Sequence, residues 1–462
     1  MKLFKAKQIS IILILVLILG LTACTNSNDT NNEDNSGDST DNQNKSIEEI
    51  AVSFVKDLIN GEYDTAYNDY EFDSKMKEAV NPSSLQAAID QLKGSLGDFV
   101  KIVDKTQTSQ DGYEIISVTC EFENDYMNLN VVFDQDSKIV GFNFSNVEDF
   151  SKTAEEMPDN IEEQEVIVGE GKWQLPGTLA VPKGQGTFPA VVLVHGSGPN
   201  DRDETVGPNK PFRDIAWGLA EKGIAVLRYE KRTKEHAQKV VDVIDEFTVE
   251  DETIDDALLA VDLLKSNDKI DNDRIYVLGH SLGGYLVPRI ATQDEDISGF
   301  VILAGPTRHL EDLMVEQIEY LSSLDGNITD EEQAQIDAAK NAREKIKDPN
   351  LDLDTNFNEL FGGNPKYWID LRNYDPAKLA KELDRPILIM QGKRDYQVTM
   401  EDFNNWKEEL RDKNNVIFKT YDKLNHLFMA GEGDPNPTEY GIKGKVSQDA
   451  IDDIAIFING KK

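Results

Sequence analysis

Residues 276–288 read YVLGHSLGGYLVP, and this stretch decides the fold because it changes from a buried strand to a helix within a few residues. The apolar run Ile275–Leu278 is typical of a short buried strand, and the segment after Ser281 can form a helix. Gly279 and Gly283 flank the serine in the pattern G-x-S-x-G, which allows a turn too tight for side chains. The stretch therefore predicts a strand, a sharp turn that presents the serine hydroxyl, and a helix. A packed turn without chemistry is the alternative interpretation.

Apolar strand-like runs alternate with helical stretches on both sides of this segment. The clearest helix is predicted around Val249–Lys265, where apolar side chains form one stripe. Continuous apolar strands that alternate with amphipathic helices predict a mostly parallel sheet covered on both faces. We therefore expect an α/β domain over residues 164–462. Its strand-like runs are Ala190–Val194, Ile224–Leu227, Ile275–Leu278, Phe300–Leu303, Ile387–Met390 and Val416–Thr420.

A serine is a weak nucleophile at neutral pH and needs a base beside it. The chain has five histidines, and only His426, in YDKLNHLF, stands where α/β-hydrolases have their base, after both the serine and the acid. Asp395, in PILIMQGKRDYQV, follows a buried strand and a glycine and would orient the histidine. The prediction is a catalytic set of Ser281, Asp395 and His426, with Glu401 and Asp402 as alternative acids.

An oxyanion hole would complete this set. The segment VLVHGSGPNDRDE, residues 192–204, follows an early strand and carries two glycines. We expect the backbone N–H groups of Ser197 and Leu282 to stabilise the developing anion. The Ser197 side chain itself is interpreted as a loop residue and not as a second nucleophile.

Five segments occur in the order that a known superfamily has them: HGSGPNDRDE, GIAVLRYEKR, GHSLGG, QGKRDYQV and LNHLF. Through them residues 164–460 resemble an α/β-hydrolase, in the neighbourhood of dienelactone-hydrolase-like, prolyl-oligopeptidase-like and cinnamoyl-esterase enzymes. The resemblance implies the same triad on one α/β-hydrolase fold. It also implies that Arg202, Asp203 and Arg228 shape the wall of a substrate pocket. Salt bridges that hold the loops together are an equal interpretation of these three residues.

The interval between Leu303 and Ile387 is far longer than one crossover needs, and it contains helical stretches around Leu310–Leu324 and Glu331–Ile346. We interpret about residues 305–380 as a helical cap over the active site, with a decoration elsewhere on the surface as the alternative. Apolar cap residues could line the pocket, although their helical spacing is also typical of a core. These residues are Met314, Ile318, Tyr320, Leu321, Phe361, Tyr367 and Trp368, of which Tyr367 and Trp368 are taken as substrate-binding candidates.

The N-terminus has the pattern of a secretory signal. Lysines precede the apolar run Ile9–Leu21, and the run ends in LTAC at Cys24. Residues 1–23 resemble a bacterial lipoprotein signal, which implies lipid on Cys24 and an extracytoplasmic protein anchored to the cell membrane. A plain signal or an uncleaved anchor is the alternative. Residues 24–45 lack large apolar side chains and are predicted to be a disordered tether.

Residues 46–146 are predicted to be a small α+β domain, followed by a polar linker over residues 147–163. Ser46 and Glu49 form a capping-box pattern before an amphipathic helix, and two alternating segments read as strands. The order and length resemble NTF2-like domains that precede hydrolase domains in bacterial lipoproteins. Cys120 lies in an apolar strand and is expected to be a small buried hydrophobic residue.

The net charge of the chain limits the ligands that it can bind. A formal net charge of -38 over 462 residues argues against nucleic acid as a ligand, because nucleic acid attracts basic surfaces. The acidic residues are interpreted as a solvent-exposed surface that promotes solubility. The alternative, functional interpretation is that they repel anionic substrates. We expect no metal and no cofactor. The predicted function is a carboxylesterase (EC 3.1.1) that acts on small-molecule acyl or aryl esters through an acyl-enzyme. The alternatives are a peptidase or other amide hydrolase, and a binding lipoprotein without catalysis.

Overall fold

The computed structural model describes residues 46–110, 113–147 and 157–460. The predicted signal peptide, the tether with Cys24 and most of the predicted linker lie outside the described residues. The described chain forms two compact units, one up to residue 147 and one from residue 157. Within these ranges no helix combines the length and the apolar character needed to cross a bilayer.

The N-terminal unit packs four helices on one antiparallel sheet. Its helices are α1 (Ile47–Asn60), α2 (Tyr63–Asn68), α3 (Ser74–Ala79) and α4 (Pro82–Leu96), and its strands are β1 (Phe99–Gln110), β2 (Tyr113–Phe122), β3 (Tyr126–Phe133) and β4 (Ile139–Asn146), in the order β1-β2-β3-β4. Helix α1 begins with the predicted capping box, in which the Ser46 hydroxyl accepts from the Glu49 N–H and the Glu49 carboxylate accepts from the Ser46 N–H. This reciprocal pair fixes the first turn of the helix.

The core of this unit forms between α1 and the sheet. Phe54 of α1 is fully buried, and its ring contacts Tyr70, Phe72 and Phe142 at centroid distances of 5.2, 5.9 and 5.6 Å. Edge-to-face contacts of this kind add to the apolar area that the ring buries. Cys120 of β2 lies in the same core, and burial raises the pKa of its thiol to about 12. The thiol is therefore protonated and acts as a hydrophobic residue, as predicted.

The second unit is built on an eight-stranded sheet in the order β12-β11-β10-β9-β7-β8-β6-β5. Strands β5 and β6 are antiparallel to each other, β6 is antiparallel to β8, and the other neighbours are parallel. The strands are β5 (Ile161–Val168), β6 (Leu175–Pro182), β7 (Phe188–Val194), β8 (Ala225–Tyr229), β9 (Ile270–His280), β10 (Ile297–Leu303), β11 (Ile387–Gly392) and β12 (Val416–Tyr421). Strand β5 begins inside the predicted linker, because Ile161 is buried and pairs with Pro182 of β6.

Helices cover both faces of this sheet, as the sequence predicted. They are α5 (Pro211–Ala220), α6 (Arg232–Glu235), α7 (Ala237–Val241), α8 (Asp255–Lys265), α9 (Leu282–Gln293), α10 (Leu310–Ser323), α11 (Asp330–Lys347), α12 (Pro365–Leu371), α13 (Pro376–Lys381), α14 (Met400–Glu409) and α15 (Gln448–Asn459). Short 3₁₀ segments lie at Gly171–Trp173, Ile244–Glu246, Phe357–Glu359 and Pro437–Gly441. The helix predicted around Val249–Lys265 begins as a π-turn, Glu250–Ile254, and continues as α8.

Strand β7 is apolar throughout because both of its faces are buried. Ala190, Val192 and Val194 belong to the core on one face of the sheet, whereas Val191 and Leu193 belong to the core on the other face. Successive side chains of a strand point to opposite faces, so a strand covered on both sides has no polar face. Between β10 and β11 the chain forms helices α10 to α13, which occupy the predicted cap interval.

We expect Phe54→Ala to destabilise the N-terminal unit by about 3–5 kcal/mol, because it opens a cavity among three aromatic rings. Hydrogen exchange of peptides from β2 and β3 in the full chain should become faster, while peptides from β9 and β10 keep their protection. Val100→Ala is the matched control, since Val100 is 50% exposed. Unchanged protection of β2 in Phe54→Ala would contradict this description of the core.

Candidate active site

The turn at Ser281 connects β9 to α9 and is tighter than an ordinary strand-to-helix turn. Ser281 has φ 53° and ψ −116°, a conformation that costs free energy for any residue with a Cβ. A Cβ at Gly283 would lie 2.2 Å from the Val194 carbonyl oxygen, and one at Gly279 would lie 2.3 Å from the Gly283 carbonyl carbon. Both positions therefore require glycine, and the turn holds Ser281 in its strained conformation.

The loop after β7 lies directly beside this serine. A Cβ at Gly196 would be 3.1 Å from the Ser281 Cβ. The two predicted donors, the amides of Ser197 and Leu282, have no hydrogen-bond acceptor among the described residues. Leu282 is the first residue of α9, where backbone N–H groups lack intrahelical partners. Both amides are thus free to bind an anion that forms at the serine.

Asp395 and His426 are brought together at the carboxyl ends of β11 and β12. The His426 Nδ1 atom is 2.7 Å from the Asp395 Oδ2 atom, and both side chains are buried. The other carboxylate oxygen of Asp395 accepts from the amides of Gln397 and Val398, at 2.8 and 3.0 Å. Gln391 Nε2 also donates to Oδ2 at 2.9 Å. These bonds fix the carboxylate so that it can hold the imidazole in one orientation.

The serine and the histidine are linked through the residue before the serine. His280 lies against His426 with ring centroids 4.6 Å apart, and its Nε2 atom is 2.9 Å from the His426 carbonyl oxygen. No hydrogen bond within the described residues joins the Ser281 hydroxyl to His426. Catalytic hydrogen bonds often shorten only when substrate is bound.

A buried Glu204–His280 pair was not predicted from the sequence. The His280 Nδ1 atom is 2.8 Å from the Glu204 Oε2 atom, and Glu204 Oε1 accepts from the Gly196 N–H at 2.6 Å. Burial alone would lower the pKa of His280, but the Glu204 carboxylate, the His426 carbonyl and the Asp395 carboxylate together raise it above its ordinary value. Burial alone would raise the pKa of Glu204, yet His280, His195 and the Gly196 N–H together lower it below its ordinary value. Both shifts favour the charged forms of the two residues. The pair joins the Gly196 loop, residues 195–204, to the serine turn and, through the His280 contact with the His426 carbonyl, to the loop that carries His426.

Both residues of this pair lie in segments that the sequence singles out for another reason, the oxyanion hole and the serine turn. His280 adjoins Ser281 in the sequence, and Glu204 ends the segment whose two glycines indicate the oxyanion hole. Glu204 has φ 51°, in the left-handed region, and its side chain is buried. The contact itself is non-local, so spacing along the chain did not indicate it.

Three predicted wall residues, Arg202, Asp203 and Arg228, form ion pairs with their own unit. The Arg228 Nη2 atom is 2.6 Å from Glu163, and its Nε atom is 3.2 Å from Asp203. The Arg202 Nε atom is 2.8 Å from Glu230. These contacts agree with the alternative interpretation, in which the three residues hold loops together. Their contact with substrate stays a prediction.

The two aromatic residues predicted from the cap have polar partners inside the protein. Trp368 is buried, and its Nε1 atom donates to the Leu360 carbonyl oxygen at 2.7 Å. The partly buried Tyr367 donates from its hydroxyl to the Glu252 carboxylate at 2.8 Å. Trp368 is thus a core residue of the cap, and Tyr367 links α12 of the cap to the π-turn before α8.

The alternative acids are engaged elsewhere. Asp402 is fully buried and accepts from the Thr307 and Arg308 amides at 2.9 and 3.0 Å, while Glu401 pairs with the Arg308 side chain at 3.2 Å. His195 is buried as well, and burial lowers its pKa to about 4. Across the described part of the chain, no cluster of three or more His, Cys, Asp or Glu side chains could hold a metal ion.

Known proteins resemble this chain in both units. Residues 219–351 match the prolyl oligopeptidase family, and residues 51–142 match a family of unknown function, DUF3887. The chain is 41% identical to Esterase EstD of Thermotoga maritima over 414 residues. These aligned residues cover 88% of this chain and 94% of that protein. The resemblance of the N-terminal unit to NTF2-like domains stays a prediction.

Two solved structures are similar at greater distance. Est1E from Butyrivibrio proteoclasticus has 19% identity and a TM-score of 0.41, with 64% of this chain and 99% of that chain covered. The acylaminoacyl peptidase of Pyrococcus horikoshii has 15% identity and a TM-score of 0.42, with 70% of this chain and 52% of that chain covered.

We expect Glu204→Gln to lower the free energy of unfolding by about 3 kcal/mol near pH 5.5, because His280 loses its buried counter-charge. The contribution of the pair is fully present between the ordinary pKa values of glutamate and histidine, about 4.3 and about 6.5. It is lost as the pH rises through the raised pKa of His280, and also as the pH falls through the lowered pKa of Glu204. Urea denaturation of both proteins across pH would measure this difference.

The exposed Glu235 offers the control variant Glu235→Gln, which should match the wild type at every pH. A Glu204→Gln deficit that stays constant up to about pH 9 would contradict the charged pair, since it would then not depend on protonated His280.

Proposed function

This chain belongs to the α/β-hydrolase superfamily and is a serine hydrolase of the esterase type, and from that premise we propose that it cleaves carboxylic esters through an acyl-enzyme on Ser281. Its 41% identity to an esterase over most of both chains establishes the class. The assignment of Ser281, Asp395 and His426 as the catalytic triad is our proposal. The observation that carries it is the buried 2.7 Å contact between Asp395 and His426 beside the strained serine turn.

The proposed reaction has two steps. His426 accepts the Ser281 proton while the hydroxyl oxygen attacks the ester carbonyl, and the N–H groups of Ser197 and Leu282 stabilise the resulting oxyanion. The tetrahedral species collapses, His426 returns the proton to the leaving alcohol, and the acyl group stays on Ser281. His426 then takes a proton from a water molecule whose oxygen attacks the acyl carbonyl, and it returns this proton to the Ser281 oxygen as the acid leaves. Asp395 stabilises the imidazolium in both steps.

We propose small or medium acyl or aryl esters as the substrate class. The interval between β10 and β11 carries the partly buried side chains Met314, Phe361 and Tyr367, and apolar and aromatic groups of this kind suit an uncharged acyl or aryl group. The strongly acidic chain, with a net charge of -38, would favour neutral over anionic esters.

A second candidate activity is amide hydrolysis, which the match of residues 219–351 to the prolyl oligopeptidase family favours. The same acyl-enzyme chemistry serves both substrates, and the two differ in the leaving group. Parallel rates with p-nitrophenyl esters and peptide p-nitroanilides distinguish them. Faster turnover of anilides than of esters would move the assignment to a peptidase.

We expect Ser281→Ala to lose labelling by a fluorophosphonate and to slow p-nitrophenyl ester hydrolysis by about 10⁴-fold or more, because the covalent step has no nucleophile. Labelling followed by peptide mass spectrometry would locate the modified residue. The control Ser266→Ala removes an exposed hydroxyl at the end of α8 and should label like the wild type. Full labelling of Ser281→Ala would refute the proposed nucleophile.

We also propose that Cys24 carries lipid and anchors the protein on the outer side of a bacterial cell membrane. The support is the sequence pattern alone: lysines at positions 2, 5 and 7, the apolar run Ile9–Leu21, and LTAC followed by a polar segment. Covalent acyl chains give membrane affinity without a spanning helix. The polar residues 24–45 would then hold the folded units away from the bilayer.

We expect Cys24→Ser to abolish incorporation of radiolabelled palmitate and to move the protein from the detergent phase to the aqueous phase in Triton X-114 partitioning. Cys120→Ser is the matched control, because Cys120 lies in the core of the N-terminal unit and should leave lipid incorporation unchanged. Palmitate incorporation that persists in Cys24→Ser would contradict the anchor.

A further inference from the structure

A buried lysine holds the peptide group that carries one of the proposed oxyanion donors. The Lys231 Nζ atom donates to the Gly196 carbonyl oxygen at 2.7 Å, and the Lys231 side chain is 2% exposed. The Asn200 side chain also donates to this oxygen, at 3.2 Å. The Gly196 carbonyl and the Ser197 N–H belong to the same peptide group, so these two bonds act on the donor itself.

The orientation of this peptide follows from its planarity. In a trans peptide the C=O and N–H bonds point in opposite directions, and the described chain contains no cis peptide. Fixing the Gly196 oxygen from one side therefore directs the Ser197 N–H to the other side. A cation at the carbonyl end also polarises the peptide and strengthens its N–H as a donor.

Lys231 is held by residues outside the site described above. Its Nζ atom is 2.6 Å from the carboxylate of Glu252, a buried residue within the π-turn Glu250–Ile254. The second Glu252 oxygen accepts from the Tyr367 hydroxyl at 2.8 Å, and Tyr367 belongs to α12 of the cap. A buried charge is stable only when paired and hydrogen-bonded, and this carboxylate has partners on both oxygens.

We propose that Lys231 is a positioning residue for ester hydrolysis, which orients and polarises the Gly196–Ser197 peptide, and that Glu252 and Tyr367 connect this peptide to the cap. The inference rests on the proposed function, in which the Ser197 N–H stabilises the oxyanion. Through this connection, the position of α12 affects how well the oxyanion is bound. The cap thus acts on the transition state as well as on the substrate.

The neighbouring residue provides a matched comparison. Arg232 forms a buried bidentate pair with Asp256, with contacts of 2.6 and 3.0 Å, and within the described ranges neither side chain has a hydrogen bond or ion pair to the Gly196 loop. The two ion pairs are adjacent along the chain and similarly buried, with exposures of 2% and 7% for Lys231 and Glu252 and of 5% and 1% for Arg232 and Asp256. A purely structural role of the lysine pair predicts equal effects when either pair is removed.

The experiment compares Lys231→Met/Glu252→Gln with Arg232→Met/Asp256→Asn in the full chain. The substrates are a p-nitrophenyl ester and its thionoester, in which sulfur replaces the carbonyl oxygen. Sulfur accepts hydrogen bonds weakly, so thionoester hydrolysis gains less from oxyanion donors. Removal of the lysine pair should lower kcat for the ester about 10- to 100-fold, with KM changed less than about threefold. The ratio of ester to thionoester rates should fall by a similar factor.

The arginine variant should keep kcat and the rate ratio within about threefold of the wild type, although its Tm falls. Tyr367→Phe keeps the lysine pair, so it remains informative if the pair variant does not fold. It should lower both kcat and the rate ratio about fivefold, the equivalent of one hydrogen bond.

Two results would overturn the inference, and they are distinguishable. An unchanged rate ratio in the lysine-pair variant and in Tyr367→Phe, beside an inactive Ser281→Ala, would reject the role of Lys231 and leave the proposed function standing. Hydrolysis of the ester by Ser281→Ala at the wild-type rate would reject both.

Discussion

The close approach of two backbone segments, α9 against β7, is the constraint on which the site depends. The Gly283 backbone lies so near the Val194 carbonyl that any side chain would collide with it, and Gly279 is limited by Gly283 in the same way. This contact holds Ser281 in its strained conformation and places the first amides of α9, which have no intrahelical partner, next to Ser281. Core packing on both faces of the sheet supplies the stabilisation that maintains the strain.

Buried charges then join the loops around this turn. Glu204 and His280 connect the Gly196 loop to the loop that carries His426, while Lys231, paired with Glu252, holds the Gly196 carbonyl of the Gly196–Ser197 peptide. Such pairs contribute little net stability but give one defined arrangement, because removing either partner leaves a buried charge alone. In an esterase this arrangement is of direct use, since catalysis requires donors that are oriented before the charge develops.

Local sequence features predicted much of this arrangement, and long-range contacts account for what was missed. The apolar strands, the glycine-flanked serine and the capping box at Ser46 were predicted correctly because each depends on neighbours in the chain. The superfamily predicted from five ordered motifs is confirmed. The start of β5 at Ile161 was missed, since its alternating acidic sequence reads as a linker until β6 pairs with it. The Glu204–His280 and Lys231–Glu252 pairs join distant positions, which periodicity does not show.

The insertion of the cap between β10 and β11 has a consequence for how the protein is made. During synthesis the chain completes Ser281 and β10 before the cap, and it completes Asp395 and His426 only after the cap. Strand β11 must then pair with β10 across an interval of helices, a non-local contact that forms slowly. A ribosome-bound chain that ends within the cap would hold the proposed nucleophile without its proposed base. With the proposed triad, the order of the segments keeps the newly made serine unreactive until the domain is complete.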